Sequence, residues 1–477
     1  MELPVASNTS VRKVVVIGLD CVEPSLLFDA FRGQLPNLEG LMARGSFGRL
    51  RSCDPPITVP AWSVMTSSKD PGTLGIYGFR NRADYSYHRL SIANSTAVRE
   101  PRIWDYLGNA GKQVIVLGVP GTFPVRKVSG VQIGCFLTPT IDSDYTYPSE
   151  LKHEIASVVG SYMIDVPNFR TDDKARLRAD IFAMTEKRFT LARHLLRTKP
   201  WDFFMMVEMG TDRVHHGFWK YMDRNHPKYV PGNPWENVIV DYYRYVDKLV
   251  GELLREVPAD ADILVVSDHG AKAMHGGICI NEWLIKQGHL VLKRYPDQVK
   301  RFDELEVDWS KTRAWGEGGY YGRIFINVAG REPQGIVAPA EYEAFRQRLG
   351  EEIEAIPDEN GRPIGTACKR PQDLYKRVSG IAPDLLAYFG QLRWRSVGTV
   401  GQKSVHTFEN DTGPDDANHA EHGIFVLAGP DIPAAGMLEG RQLMDIAPTV
   451  LELFGIDVPN DMQGVSILDA FDGTSRR

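Results

Sequence analysis

The sequence predicts an α/β fold with a largely parallel central sheet and helices on both of its faces. Short apolar runs alternate with helical patterns along most of the chain. The runs are continuous rather than alternating, as expected of parallel strands that are buried on both faces. They lie at 13–19, 114–118, 202–208, 262–267 and 423–428. Several of them end directly in metal-ligand residue types, which is where α/β folds place their ligands.

Helical patterns separate these apolar runs. They are present at 38–42, 180–196 and 235–257, and the last is long and amphipathic. A further helix should begin near Thr58, because Pro60 suits a first helical turn.

Two regions break the alternation. One spans 120–178 and is rich in Pro, Thr and Tyr; the other spans roughly 290–420. The second contains a strand-like stretch at 320–327, a helix at 339–356 and a polar, acidic loop at 404–420. We interpret both regions as insertions that cap a site and select its substrate.

Composition excludes several classes of protein. The 477 residues are 43% hydrophobic and 24% charged, which is ordinary for a globular protein. The net charge of −6 carries no nucleic-acid-binding signature. Five cysteines without paired spacing argue against a disulfide framework. No apolar run approaches membrane-spanning length, and residues 1–7 lead to the first strand without an apolar signal region, so we expect a cytoplasmic protein without a membrane partner. The oligomeric state is left open.

The segment Ser267-Asp268-His269-Gly270 follows one of the buried runs directly. Adjacent carboxylate and imidazole groups on a rigid strand end are a ligand pair that zinc favours. The alternative is structural: the glycine would allow a tight turn, and Asp268 would cap a helix.

Three further groups of potential metal ligands favour a metal site over the structural alternative. Asp20 ends the first apolar run, and Asp212 and His216 have the i, i+4 spacing that places both on one helix face. His422 precedes the last run. Together with Asp268 and His269 these give three carboxylates and three imidazoles, enough for two ions. His215 is adjacent to His216, but the helical spacing leaves it as a pocket wall or a group behind the ligands.

Thr58 is the candidate nucleophile. A hydroxyl at a helix N-terminus meets free backbone N–H groups and the positive end of the helix dipole, which attract a phosphate-like anion. The alternative is that Thr58 is only the N-cap of the helix. The rival hydroxyls would lie within or after that helix and are less well placed; they are Ser63, Thr66, Ser67 and Ser68.

The ordered set of motifs resembles the alkaline phosphatase superfamily, and within it the type I phosphodiesterase/nucleotide pyrophosphatase branch. The motifs are Asp20, Thr58-Val59-Pro60, Asp212 to His216, Ser267 to Gly270 and His422-Gly423. The tail at 444–456 is also similar to the closing helix of the superfamily, so that the resemblance spans about 14–464. It implies an alkaline-phosphatase-like three-layer sandwich. Residues 1–290 and 421–477 would form the catalytic core, with an insertion near 120–178, and residues 291–420 the cap.

The resemblance also implies the metal sites and the chemistry. One zinc ion would be held by Asp20, Thr58, Asp268 and His269, and the other by Asp212, His216 and His422, with manganese as an alternative in both sites. The implied enzyme is a dizinc metallohydrolase that cleaves a phosphodiester or pyrophosphate bond of a small phosphorylated substrate. Its course is attack by Thr58, a phosphothreonine intermediate, and hydrolysis.

The sequence departs from the family pattern after the nucleophile. Nucleotide pyrophosphatases usually carry Asn three residues after the threonine, and Ala61 occupies that place here. The phosphate-oxygen donors would then be the N–H groups of Val59 and Ala61, or a side chain from elsewhere, which puts nucleotide substrates in doubt. Cys53 lies near the place of the sulfatase signature, but no arginine follows it in the required position, which argues against a sulfatase.

Two other functions remain as alternatives: a phosphomonoesterase or phosphomutase of the same superfamily, and a non-catalytic protein that binds a phosphorylated ligand. A diester is favoured because no arginine or lysine lies between Thr58 and Lys69, while apolar residues there would accept an organic substituent. Candidate substrate contacts from elsewhere are Arg80, Arg82, Lys272, His275, Tyr320, Tyr321 and Arg323.

Overall fold

The computed structural model describes residues 12–472. The expectation about residues 1–7 therefore lies outside the described residues. The strands in chain order are β1 (Val14–Leu19), β2 (Ser46–Arg51), β3 (Arg80–Arg82), β4 (Leu90–Ile92), β5 (Val114–Leu117), β6 (Gly130–Ile133), β7 (Thr146–Tyr147), β8 (Phe203–Glu208), β9 (Asp262–Val266), β10 (Gly270–Ala273), β11 (Gly276–Cys279), β12 (Ala314–Glu317), β13 (Gly322–Ile326), β14 (Ala367–Lys369), β15 (Leu385–Tyr388), β16 (Trp394–Val397), β17 (His406–Thr407), β18 (Ala417–Ala420), β19 (His422–Ala428), β20 (Gly436–Met437) and β21 (Arg441–Gln442).

The α-helices in chain order are α1 (Pro36–Ala43), α2 (Thr58–Ser67), α3 (Pro71–Leu74), α4 (Ile103–Asn109), α5 (Leu151–Val159), α6 (Lys174–Thr198), α7 (Gly210–Met222), α8 (Val238–Leu254), α9 (Ile280–Lys286), α10 (Tyr342–Glu354), α11 (Pro371–Leu374), α12 (Ile446–Leu453) and α13 (Asp469–Asp472). A π-helical turn spans Leu26–Ala30, and 3₁₀ turns span Phe302–Glu304, Pro339–Glu341 and Leu443–Asp445.

The central sheet is mostly parallel, as the continuous apolar runs predict. Its strand order is β20-β2-β19-β9-β1-β8-β5-β6-β7, with β21 also beside β2. The five strands from β9 to β6 in that order run parallel, whereas β19 is antiparallel to both of its neighbours. The six residues of β1 are all buried, which explains their uniformly apolar character.

Helices cover both faces of this sheet. Gly18 faces Trp62 of α2, since a side chain at Gly18 would meet that indole at 2.5 Å. The next residue, Leu19, lines a small apolar cavity together with Tyr242 and Val246 of α8. Successive residues of a strand point to opposite faces, so α2 and α8 lie on opposite sides. The predicted three-layer α/β fold is confirmed.

A second hydrophobic cluster lies between Ile278 and Val400. It is built on the sheet β12-β13-β15-β14, against which α10 packs. The stretch at 417–420 behaves differently, because β18 pairs antiparallel with β10 directly after the Ser267–Gly270 segment. The end of the acidic stretch at 404–420 is therefore a buried strand beside the predicted metal site rather than a loop. The division into core and cap remains a prediction.

All five cysteines are free. Within residues 12–472, no helix has the length and apolar character that a membrane crossing requires.

Candidate metal centre

The centre forms where three neighbouring parallel strands end. In the register of the sheet, Gly18 of β1 lies between Val207 of β8 and Val266 of β9. The residues that follow these strands are therefore brought to one edge. Asp20 comes from β1, Asp268 and His269 from β9, and α7 begins after β8.

Asp20, Asp268 and His269 form the first group. One ligand atom from each lies within 4.8 Å of the others, and all three residues are fully buried. The surrounding turn is fixed by Ser267, whose hydroxyl accepts from Val22 N–H and donates to the His269 carbonyl, both at 2.8 Å. The indole N–H of Trp62 donates to Asp20 Oδ2 at 2.6 Å. The structure thus brings these three predicted residues together.

Asp212 and His216 lie on α7 and face the first group. Asp212 Oδ1 is 3.2 Å from His216 Nε2, as the helical spacing predicts. The imidazole that joins them belongs to His419 on β18: its Nε2 lies 3.3 Å from His216 Nε2 and 3.7 Å from Asp212 Oδ1. Asp212, His269 and His419 also have ligand atoms within 4.8 Å of one another.

His422 is not in this cluster. It is exposed at the first position of β19 and lines a groove with Arg49 and Glu421. Its neighbour Gly423 is explained by packing, because a Cβ atom at this position would lie 2.2 Å from the Ser267 carbonyl oxygen. The structure therefore corrects the placement of the third imidazole, which comes from His419. The sequence signal is the histidine in Asn418-His419-Ala420, three residues before His422.

The buried carboxylates are electrostatically unbalanced without cations. Burial and the neighbouring Asp212 charge raise the pKa of Asp20 well above its usual value, and burial and Asp20 raise the pKa of Asp268. Burial also opposes ionisation of Asp212, but His216 and Arg213 hold its pKa well below the usual range. Three carboxylates in one buried cluster repel one another, and divalent cations relieve that repulsion.

Two of the three histidines are in the neutral form that binds metal ions. Burial lowers the pKa of His269 to about 4, and burial together with His269 lowers the pKa of His419. Both rings are therefore neutral near pH 7, as metal ligation requires. Burial acts against protonation of His216 as well, but Asp415 and Asp212 raise its pKa to about 9. Metal binding at His216 would release that proton.

The donor set fits two divalent metal ions. Asp20 Oδ1, Asp212 Oδ1 and Asp268 Oδ2 are buried and have no hydrogen-bond partner within residues 12–472. Buried carboxylate oxygens without partners are costly unless a cation pairs with them. Mixed carboxylate oxygen and imidazole nitrogen donors are the set that zinc accepts.

Thr58 is the first residue of α2 and is 3% exposed. Its Oγ1 lies 3.4 Å from His269 Nε2. The N-cap position belongs to Ile57, so that the Thr58 hydroxyl does not cap the helix. The rival hydroxyls are occupied by bonds to backbone carbonyls: Ser63 to Val59, Thr66 to Trp62, Ser67 to Ser63 and Ser68 to Met444.

The free backbone donors beside Thr58 differ from those expected. The Ala61 N–H donates to the Ile57 carbonyl at 2.8 Å and is not available. The N–H groups of Thr58 and Val59 make no hydrogen bond within residues 12–472. These two free donors lie at the N-terminus of α2, next to the cluster, where they would attract an anion.

Three residues that sequence reasoning missed surround the second group. Asp415 accepts from His216 Nδ1 at 2.7 Å, and Arg213 pairs with Asp212 and with Asp165. Arg170 pairs with Asp415 at 3.0 Å. No local pattern predicts these pairings: Arg170 and Asp415 lie in irregular segments, and Arg213, although it is on α7, is identified as a partner only by its contacts with Asp212 and Asp165.

Among the candidate substrate contacts, Tyr320 reaches the cluster. Its ring lies 5.1 Å from His216 and 4.3 Å from His419, centroid to centroid. Arg80 is exposed at the start of β3, and four of the others have partners elsewhere. Arg82 is buried against Glu332, Lys272 pairs with Glu421, Tyr321 donates to the Tyr77 carbonyl, and Arg323 donates to the Arg80 carbonyl. His275 lines a cavity with His226 and Asp415, so that it lies on the outer side of the Asp415–His216 pair.

A buried cluster of three carboxylates and three imidazoles beside a helix-terminal hydroxyl has the donor types and the nucleophile type that metal-dependent phosphoryl transfer uses. The chain belongs to the type I phosphodiesterase/nucleotide pyrophosphatase family, whose family model matches residues 14–423. The family consists of metal-dependent phosphoric ester hydrolases, so that the expectation of such an enzyme is confirmed. No curated protein matches the chain by sequence.

Solved structures with the same fold extend over nearly the whole chain. Human ectonucleotide pyrophosphatase/phosphodiesterase 5 is 15% identical with a TM-score of 0.56, and the match covers 97% of this chain and 99% of that one. An inactive variant of the murine protein, solved in complex with AMP, is 16% identical over 97% and 99% with a TM-score of 0.55. Phosphonoacetate hydrolase from Sinorhizobium meliloti, in complex with phosphonoformate, is 16% identical over 93% and 96% with a TM-score of 0.59. These likenesses support the alkaline-phosphatase-like fold.

Proposed function

We propose that the protein is a dizinc phosphodiesterase or pyrophosphatase that acts on a small phosphorylated substrate through a phosphothreonine intermediate on Thr58. The observation that carries the proposal is the convergence of the Thr58 hydroxyl and six potential ligands in one buried cluster. Manganese is an alternative to zinc, since both accept carboxylate and imidazole ligands.

One ion would be held by Asp20, Thr58, Asp268 and His269. The other would be held by Asp212, His216 and His419, in which His419 replaces His422. When bound, two such ions supply Lewis-acid stabilisation of the threonine alkoxide and of the charge that develops on the phosphoryl group.

Groups of the protein itself would position the substrate and supply the nucleophile. The N–H groups of Thr58 and Val59 are free to hold a phosphoryl oxygen, and Thr58 Oγ1 is placed to attack phosphorus. The new Oγ1–P bond forms as the bond to the leaving group breaks, and the threonine proton is lost to solvent. Water then attacks the phosphothreonine and restores the hydroxyl.

The two-metal centre and the covalent intermediate are tested separately, the first by metal analysis and the second by trapping. The purified protein should hold close to two divalent ions per chain, chelation should abolish turnover, and zinc or manganese should restore it. Undiminished activity in chelator with one ion or none would exclude the two-metal centre.

The covalent step is tested at Thr58. Thr58→Ala should abolish turnover and Thr58→Ser should retain part of it, whereas Ser63→Ala, the matched control within α2, should remain active. Acid quenching during turnover should place the phosphate on Thr58. Phosphate on Ser63 or Thr66 would reassign the nucleophile.

The structure changes the argument for a diester substrate. Val59, Ala61 and Trp62 are apolar and fully buried, so that they pack against the sheet instead of facing an organic substituent. Arg170 and Arg213 do lie beside the second metal group, which the sequence did not reveal. Comparing specificity constants for bis- and mono-p-nitrophenyl phosphate decides between the classes: a monoester preference of about tenfold, or about 1.4 kcal/mol, favours the phosphomonoesterase alternative.

We also propose a cytoplasmic location, because all five cysteines are free and reducing compartments preserve thiols. Subcellular fractionation with the full-length chain tests it, and recovery in an oxidising compartment would overturn it.

A further inference from the structure

Arg170 holds a fixed position at the edge of the metal centre. Its Nε donates to Asp415 Oδ2 at 3.0 Å and its Nη2 donates to Tyr320 Oη at 2.6 Å. The guanidinium also lies 4.4 Å from the centre of the Phe169 ring. A charged group held at three points is preorganised, so little further entropy is lost when it binds an anion.

This arginine keeps one end free. Its side chain is 25% exposed, whereas Asp415 beneath it is fully buried. Within residues 12–472, the Nη1 group makes no hydrogen bond. Asp415 is also engaged by His216, so that its charge is shared between two partners. Arg170 therefore presents an unused donor and positive charge to the solvent side of the centre.

Arg170 and Thr58 stand at opposite ends of a chain of contacts through the centre. Thr58 Oγ1 lies against His269, and the His269 ring stacks on His419 with centroids 3.7 Å apart. His419 in turn contacts the ring of Tyr320, whose hydroxyl accepts from Arg170.

Phosphoryl transfer places the entering and leaving oxygens roughly in line, on opposite sides of phosphorus. If Thr58 enters from one end, the leaving group departs toward the other. With Thr58 beside the first ligand group, the leaving oxygen would lie at the second group, whose histidines contact Tyr320, the partner of Arg170.

We infer that Arg170, held by Asp415 and Tyr320, is a leaving-group recognition residue that selects substrates whose leaving group carries a phosphate. The inference rests on the proposed function, and it names the substrate class more narrowly: a pyrophosphate, or an ester whose leaving group is itself phosphorylated. Guanidinium groups match phosphate oxygens through paired donors, and such charge-assisted bonds are the strong ones.

Two substrates with the same transferred group test this inference. Bis-p-nitrophenyl phosphate and P1,P2-di-p-nitrophenyl pyrophosphate both leave a p-nitrophenyl phosphoryl group on the enzyme. The first releases p-nitrophenolate, and the second releases p-nitrophenyl phosphate. Mutant-to-wild-type ratios of kcat/KM cancel the intrinsic difference in leaving ability.

Arg170→Gln should lower kcat/KM for the pyrophosphate at least tenfold and change that for the diester less than threefold. Tyr320→Phe keeps the Arg170–Asp415 pair but removes the phenol oxygen that accepts from Arg170, and it should lower the ratio of pyrophosphate to diester kcat/KM by a smaller factor than Arg170→Gln does. Arg178→Gln, on the exposed side of α6, is the matched control and should leave kcat/KM for both substrates unchanged. Bound metal is measured in each variant.

An equal loss for both substrates, or a loss of metal in Arg170→Gln, would assign the residue to the support of the metal centre and overturn the inference. Unchanged pyrophosphate turnover in both variants would overturn it too, as would wild-type activity on the diester alone. A wild-type protein inactive on both substrates would instead refute the proposed function.

Discussion

The imidazole rings of His269 and His419 stack with centroids 3.7 Å apart and an interplanar angle of 17°. These residues lie 150 positions apart, and antiparallel pairing of β10 with β18 brings them together. The candidate metal centre is therefore closed by β18. Binding of metal should consequently stabilise the pairing of β18 with β10.

Replacing His419 should affect the centre much more than replacing His422. His419→Ala removes a buried imidazole within reach of Asp212 and His216, so that we expect the loss of one bound ion per chain and a fall in activity of at least a hundredfold. His422 is exposed and outside the cluster, and His422→Ala should keep both ions and most of the activity. Elemental analysis and kinetics distinguish the two. The reverse pattern would restore His422 as the ligand.

Trp62→Phe should weaken the Asp20 side of the centre. The change removes the hydrogen bond to Asp20 Oδ2 and leaves that oxygen without a partner, which costs about 2 kcal/mol in addition to lost packing. Trp104→Phe is the matched control, because Trp104 is also buried and, within residues 12–472, its indole N–H donates to no carboxylate. Denaturant unfolding of both variants gives the difference. Equal free energies of unfolding for the two would show that the bond to Asp20 contributes nothing.

The first group of ligands could be predicted because its signals are local. β1 and β9 are buried and are largely continuous apolar runs; Asp20 follows the first directly, and Asp268 follows the second after Ser267. Asp212 and His216 follow from helical periodicity in the same way.

His419 could not be recognised by the same reasoning. Its strand reads Ala417-Asn418-His419-Ala420, with no apolar pattern, and it is buried because it pairs with β10. His422 has the more visible motif, but the structure uses Gly423 for close packing against Ser267. Arg170 and Asp415 carry no local signal either, since their roles come from partners that are distant in sequence.

Stability should fall as the pH drops below about 6.5, partly through His226. Its Nδ1 accepts from the Lys228 N–H at 3.0 Å, and its Nε2 donates to the Asp416 carbonyl at 3.1 Å. Protonation would place a second donor against Lys228 N–H, and burial lowers the pKa of His226 from 6.5 to about 4. The unfolded chain then binds more protons between these values, so that the free energy of unfolding rises with pH across this window and is lost as the pH falls through it.

The contribution of His226 is isolated by comparing how steeply the free energy of unfolding changes with pH in different variants. His226→Asn cannot titrate, so its free energy of unfolding should change less steeply between pH 6.5 and 4 than that of the wild type. His153→Asn, at an exposed site on α5, is the control and should keep the wild-type slope. Identical slopes for all three proteins would exclude His226 as a contributor. Denaturant unfolding at a series of pH values, with metal held constant, makes the measurement.

Asp415→Asn should loosen the second metal group without disturbing the first. The Asp415 carboxylate is fully buried between His216 Nδ1 at 2.7 Å and Arg170 Nε at 3.0 Å. A carboxylate behind a ligating histidine fixes the orientation of the ring and increases its basicity, and its removal typically costs about ten- to a hundredfold in metal affinity. An amide of the same size retains one acceptor oxygen but not the charge. We therefore expect weaker binding of one of the two ions, measured by titration with a competing chelator. Asp416→Asn is the adjacent control, because the Asp416 side chain pairs with Lys220 while only its backbone N–H contacts His216; this variant should bind both ions like the wild type. If both variants lost affinity equally, the effect would belong to the loop as a whole and not to the Asp415–His216 pair.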